Sequence, residues 1–211
     1  VSDSVYNEAV FKNKIKQKYL TIYNYVDKQK IIDKSNEYQY DKQYDLLFFG
    51  RLNHLKNPFE FIEIVKEVKK YKKDIKVVMI GDGDLYEPCL QLIEKNKLDD
   101  NVEMLGFVEN PFPIIKTCEI CTMPSIVEGF GLTTIESLVL GKPVLNSGVG
   151  GLGEIFVNDN YYICNTNEKY IKKAKELLQK KHVCNYEKIL HNFCDKTKWK
   201  YELFKIYREE K

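Results

Sequence analysis

From about residue 44 the chain alternates short apolar runs with stretches of helical periodicity, and this alternation constrains its fold more than any other feature. Strand-like runs lie at residues 45–50, 75–81, 102–106, 120–124 and 143–147, with a weaker one at 161–164. Between them come apolar residues at helical spacing: Phe59, Ile62, Val65 and Val68, then Leu85, Leu90 and Ile93, then Ile114 and Ile115, then Leu132, Ile135 and Leu138. Strands separated by helices form a parallel sheet joined by right-handed crossovers, with helices on both faces. The expected fold class is therefore α/β. Such sheets bind ligands beyond the carboxyl ends of their strands. Loops at Gly50-Arg51, Gly81-Asp82-Gly83 and Glu128-Gly129 each follow a strand and can share that edge.

The loop after the fourth run, Ser125 to Glu136, carries the chemistry. Glu128 and Glu136 flank a Gly129-Phe130-Gly131 turn that opens an apolar helix near Leu132. A helix start points free backbone N–H groups at the loop mouth, which favours an anion such as phosphate. Helical side chains lean toward the N-terminus, so Glu136 reaches back toward the mouth that Glu128 borders. Donors for phosphate and two carboxylates that accept from hydroxyls suit a phosphorylated, hydroxyl-rich ligand, and a nucleotide sugar fits. Arg51 and Lys56, just beyond the first strand, are a guanidinium fork and an ammonium that suit a diphosphate.

With 33 basic and 31 acidic residues the charge is too balanced for a nucleic-acid binder. A hydrophobic share of 44% and a charged share of 30% are ordinary for a globular protein with a substantial core. No apolar run is long enough to span a bilayer. Cys118 and Cys121 lack a partner pair and fall in a strand, so buried thiols in a reducing cytosol are expected rather than a zinc or redox site. Asp82-x-Asp84 is expected to be a turn with Asp84 as helix N-cap, not a metal site, and no histidine fits a ligand or base geometry.

The spacing in Glu128-Gly129-Phe130-Gly131-Leu132-x-x-x-Glu136 resembles the signature of family 4 of the retaining glycosyltransferases (glycosyl transferases group 1), which have the GT-B fold. Gly50-Arg51-Leu52-x-x-x-Lys56 resembles that family's G-R-L-x-x-x-K-G, with Asn57 in place of the last Gly. Gly106-Phe107-Val108 is similar to its G-F/Y-V turn near the nucleotide base. Residues 148–154 are similar to its G-G-x-P-E segment beside the sugar, with Gly153 where Pro is usual. Val1-Ser2-Asp3-Ser4 and residues 21–27 resemble the join between that family's two domains, with Tyr25 where Gly is usual. Trp199 to Tyr207 loosely matches its last helix.

The resemblance implies a Rossmann-like, donor-binding C-terminal half of a GT-B enzyme. Residues 1–40 are then an inter-domain segment, 41–195 the nucleotide-sugar domain, and 196–211 a helix packing toward an absent acceptor-binding domain through Trp199, Leu203 and Phe204. It implies Glu128 as catalytic residue, with Arg51, Lys56, Gly129, Phe130, Gly131, Leu132 and Glu136 binding substrate. Gly50, Phe107, Val108 and Glu154 are further candidates. The implied reaction is transfer of a sugar, with retention, from a nucleotide diphosphate sugar to a hydroxyl of a glycan or lipid-linked acceptor, in polysaccharide or glycolipid synthesis. No cofactor or metal is expected, and no nucleic-acid partner. The expected location is the cytoplasm, with room for peripheral contact at the membrane's cytoplasmic face. The isolated chain is expected to be inactive. A nucleotide-sugar 2-epimerase and a non-catalytic nucleotide-binding module stay open as alternatives.

Overall fold

The computed structural model describes Asp3 and residues 21–157, 162–180 and 186–209, with side chains of the last helix through Lys205. Its strands are β1 (Tyr44–Phe49), β2 (Val77–Ile80), β3 (Val102–Gly106), β4 (Cys118–Met123) and β5 (Val144–Asn146). They form one sheet in the order β3-β2-β1-β4-β5, and every pair is parallel. Leu46 lies opposite Val77 on one side and Ile120 on the other. The inner strands are apolar along their length because helices cover both faces: all of β2 is buried, and all but Glu119 of β4.

The helices are α1 (Lys28–Ser35), α2 (Pro58–Lys69), α3 (Tyr86–Lys95), α4 (Phe112–Lys116), α5 (Leu132–Val139), α6 (Gly151–Ile155), α7 (Asn167–Gln179), α8 (Glu187–Cys194) and α9 (Lys196–Glu209). In α2 the residues Phe61, Ile62, Val65 and Val68 recur at helical spacing and are completely buried. The expected strands are all present to within a few residues. The sixth run, at 161–164, contributes only an isolated bridge between Ile163 and Asn146.

Several expectations need correction. The segment read as a lead-in is partly domain body: Val26 N–H donates to the Phe193 carbonyl at 2.9 Å, and α1 packs on α4 and α5. A mostly polar helix was hard to see, since KQKIIDKS buries only Ile31 and Ser35. Trp199 does not reach outward, because its ring lies against Tyr25, 5.9 Å between centroids. Asp84 does not cap α3. Leu85 is the N-cap residue, with no side-chain cap, while Asp82 Oδ1 accepts from Gly83 N–H at 2.7 Å. Residues 1–20 other than Asp3, and the Tyr207 side chain, lie outside the described residues.

Two loop features set up the site. A Cβ on Gly81 would fall 1.9 Å from the Gly50 carbonyl oxygen, so the chain closes up there only without a side chain. That contact joins the loops after β1 and β2, where Leu52 N–H donates to the Asp82 carbonyl at 2.9 Å and Leu85 N–H to the Leu52 carbonyl at 3.0 Å. Asn57 takes the left-handed conformation, φ 54°, and precedes Pro58 at the start of α2. Asn is among the few side chains that tolerate that region, so the turn survives without glycine.

Candidate functional site

In this sheet the chain runs outward from β1 to β2 and β3, then crosses back to β4 and β5, so β1 and β4 meet at the point where the order reverses. A crevice opens there beyond the carboxyl ends. Its two walls are the loop after β1 and the loop after β4. Backbone bonds stitch them together, with Ile126 N–H donating to the Leu55 carbonyl at 2.8 Å. Lys56 and Glu128, one from each loop, form an ion pair.

Glu128 is 8% exposed and Lys56 half-buried. Each charge is therefore largely dehydrated and held by the other. Lys56 is fixed from behind by its backbone N–H on Asn53 Oδ1, 3.0 Å. The Glu128 carbonyl accepts from Gly151 N–H at 3.1 Å. A Cβ on Gly150 would lie 1.9 Å from that same oxygen, so the loop after β5 presses directly on the Glu128 backbone. Ser147 Oγ donates to the Ser125 carbonyl at 2.7 Å and ties down the other end of the loop.

Helix α5 starts beside this pair. Gly131 is its left-handed N-cap, and no side chain caps it. The Gly131 carbonyl accepts from Thr134 N–H at 3.0 Å and Ile135 N–H at 3.3 Å. The first-turn amides of Leu132 and Thr133 have no intrahelical partner, as at any helix start. The hydroxyls that could have capped them are occupied elsewhere: Thr133 and Thr134 both point to Met123 Sδ, at 3.3 and 3.0 Å. The helix start is left open to an anion.

Leu132 and Glu136 extend from this start into a cleft of about 570 Å³, which Phe49, Ile80, Phe107 and Val108 also line. Burial pushes the Glu136 carboxyl up from its ordinary range. A further wall comes from Asp27, Lys30 and Lys34 on α1 and its N-cap. Sequence reasoning missed this wall. The signal was thin, since α1 buries only Ile31 and Ser35 among polar residues.

The expected site residues thus separate into groups. Lys56 and Glu128 pair, Gly131 and Leu132 form the helix start, and Leu132, Glu136, Phe107 and Val108 share the cleft. Gly129 and Arg51 are exposed, and Arg51 has no ion pair among the described residues. Gly50 N–H is held by the Ile80 carbonyl at 3.0 Å, at the floor. The Phe130 side chain is turned into the core. It is 5% exposed, its ring 5.8 Å from Tyr23 and 5.5 Å from Phe193, and it anchors the turn to the core. Glu154 belongs to none of these groups. Its Oε2 accepts from Tyr23 Oη at 3.0 Å and Asp3 N–H at 3.1 Å, and it lines a separate cavity of about 350 Å³ beside Phe193 and Trp199. Burial, with Glu154 beside it, pushes the Tyr23 hydroxyl up to about 12.

Cys118 and Cys121 are buried in β4, where burial raises both thiols, Cys121 to about 11. They are poor nucleophiles and poor metal ligands there.

Comparison with known proteins places the fold and the family. A family model described as "Glycosyl transferases group 1" matches residues 27–193. The chain is 31% identical over 146 residues to an uncharacterized glycosyltransferase of Methanocaldococcus jannaschii, covering 68% of this chain and 38% of that protein. It is 32% identical over 141 residues to the N-acetylgalactosamine-N,N'-diacetylbacillosaminyl-diphospho-undecaprenol 4-alpha-N-acetylgalactosaminyltransferase of Campylobacter jejuni, covering 66% of this chain and 38% of that protein. The chain therefore spans well under half the length of these relatives. Among solved structures, a mutant of S. aureus TarM in complex with fondaparinux, alpha-GlcNAc-glycerol and UDP superposes with a TM-score of 0.76 at 20% identity, covering 93% of this chain and 40% of that one. That likeness shows the fold, the Rossmann-like half of a GT-B protein. On the family match and the relatives together, the chain belongs to the glycosyl transferases group 1 family.

Proposed function

We propose that this domain binds the donor of a retaining glycosyltransferase, a nucleoside diphosphate sugar, and that the whole protein transfers the sugar to a hydroxyl of a glycan or lipid-linked acceptor in polysaccharide or glycolipid synthesis. The observation that carries this reading is the Lys56–Glu128 pair at the reversal point of the sheet, next to the open start of α5. A diphosphate seated there meets Lys56, Arg51 and the amides of Leu132 and Thr133. Glu136, deeper in the cleft, accepts from ribose hydroxyls, and Glu128 accepts from the sugar.

The chemistry follows from charge. As the bond between the anomeric carbon and the phosphate oxygen breaks, its electron pair goes to the diphosphate. A preorganised positive field stabilises that charge most where water is scarce. The acceptor oxygen bonds the same face of the sugar and its proton passes to the leaving phosphate, so the configuration is retained. Glu128 orients the sugar for this step. Two cations and a helix start already neutralise the diphosphate, so no metal is needed.

Calorimetric titration with UDP and GDP tests the reading. Arg51→Ala is expected to weaken binding about tenfold or more, the size of a lost charge-assisted contact. Affinity should be equal in EDTA and in excess Mn²⁺. Unchanged affinity in Arg51→Ala refutes the phosphate assignment, and a large gain with Mn²⁺ refutes metal independence.

A further inference from the structure

The turn at residues 129–131 separates Glu128 from the start of α5, and its two glycines give the backbone wide freedom. Phe130 is the only side chain in it that can pin it. Its ring closes a triangle with two others. It stacks on Tyr23, 5.8 Å between centroids and 26° between planes, and meets Phe193 edge-on at 5.5 Å. Tyr23 and Phe193 are themselves 5.4 Å apart, edge to face. Aromatic pairs of this kind add to what burial alone contributes. The Tyr23 hydroxyl reaches a second element, since its Oη donates to Glu154 Oε2 on α6 at 3.0 Å. The first residue of α6, Gly151, lies against the same turn. Its N–H donates to the Glu128 carbonyl at 3.1 Å, and a Cβ on it would fall 2.5 Å from Phe130 Cα. Tyr23 therefore grips the turn twice, directly through its ring and indirectly through α6.

Tyr23 comes from the segment before α1, 131 positions from Glu154, and it does not line the donor cleft. Its effect on a ligand has to pass through other residues. We propose that Tyr23 is a positioning residue for the donor site. It fixes the turn so that Glu128 meets Lys56 and the start of α5 faces the crevice. The inference rests on the donor reading above and puts one of that site's determinants outside the loops that form it. Groups that bind or react have to be held to about half an ångström. A turn flanked by glycines cannot do that alone. The Tyr23 hydroxyl, raised by burial and by Glu154, keeps its proton at ordinary pH and so stays a donor to that carboxylate.

The test is calorimetric titration of the 211-residue chain with UDP, well below the melting midpoint of every variant, so that each sample is folded. Tyr23→Phe removes the hydroxyl and keeps the ring, and Glu154→Ala removes the acceptor. Each should weaken UDP about fivefold, the size of one hydrogen bond. The double variant should lose no more than either, because the two groups act as one unit. Glu154→Gln, whose carbonyl oxygen still accepts from Tyr23, should bind within about twofold of the parent. Tyr23→Leu removes the ring as well and should weaken UDP more than about tenfold. A tyrosine that only supports the fold would lower the melting midpoint and leave these affinities alone. Affinity unchanged in Tyr23→Phe, additive losses in the double variant, or Glu154→Gln as weak as Glu154→Ala overturns the proposal. Tyr23→Phe deletes one oxygen and gives the answer even where Tyr23→Leu does not fold. Arg51→Ala, run alongside, separates the two readings. If it weakens UDP while the Tyr23 variants do not, the donor site stands and this proposal falls. If the parent binds no UDP, both fall.

Discussion

Taking the ammonium from Lys56 leaves Glu128 as a carboxylate with little water and no counter-charge. Lys56→Ala should therefore cost stability as well as donor affinity, about 1–3 kcal/mol for a buried group left unpaired. Adding Glu128→Gln to that variant should restore most of the stability, seen in urea unfolding, while UDP affinity stays low. A double variant that regains UDP binding would show that the pair is a structural strut and nothing more. Glu136 behaves differently. A carboxyl whose pKa is higher folded than unfolded binds more protons when folded, so stability falls as pH rises through the interval between the two values. Glu136→Gln should thus be more stable than the parent at neutral pH, with the difference vanishing below the ordinary carboxylate pKa, about pH 4. Unfolding midpoints at the two pH values measure it. At this scale residue types were legible and their surroundings were not. Glu128 and Lys56 stood out singly, but their pairing spans 72 positions and depends on the sheet order. Phe130 lies between two glycines whether its ring faces a ligand or the core.

Among the elements, the loop after β5 has the least freedom to change. Gly150→Ala would push a methyl into the Glu128 carbonyl, and one of the two backbones must move. That backbone is also left-handed in φ, 54°, which adds strain for any side chain. The expected result is a loss of several kcal/mol, or a shifted loop with weak UDP binding, read by calorimetric melting and titration on the same sample. The five strands could be seen in the sequence because buried parallel strands are unbroken apolar runs. Helices α1 and α7 could not. In α7 only Tyr170, Ala174 and Leu177 are buried along thirteen residues, too thin a stripe to show against so many lysines. The run at 161–164 looked like a strand and makes a single bridge, since apolar composition records burial and not pairing.

For the whole molecule, the chain covers 38% of the length of each of the two relatives described, and the proposed transfer needs an acceptor side as well as a donor side. The 211-residue chain is expected to bind UDP and to release no nucleotide from UDP-sugars in the presence of acceptors, whereas a protein of the relatives' length should turn over. Nucleotide-release assays on both decide it, and equal turnover would mean that one domain suffices. The seam between β1 and β4 has a further consequence, for folding and motion. The two strands come from distant parts of the chain, and bringing them together closes a long loop, a step whose entropy must be met before the contact is rewarded. A ligand that grips Lys56 on one wall and the start of α5 on the other then acts as a clasp on the slowest-closing junction of the sheet. Its effect should reach well beyond the residues it touches. Amide hydrogens of β1 and β4 should exchange more slowly with UDP bound, while those of α9 keep their rate.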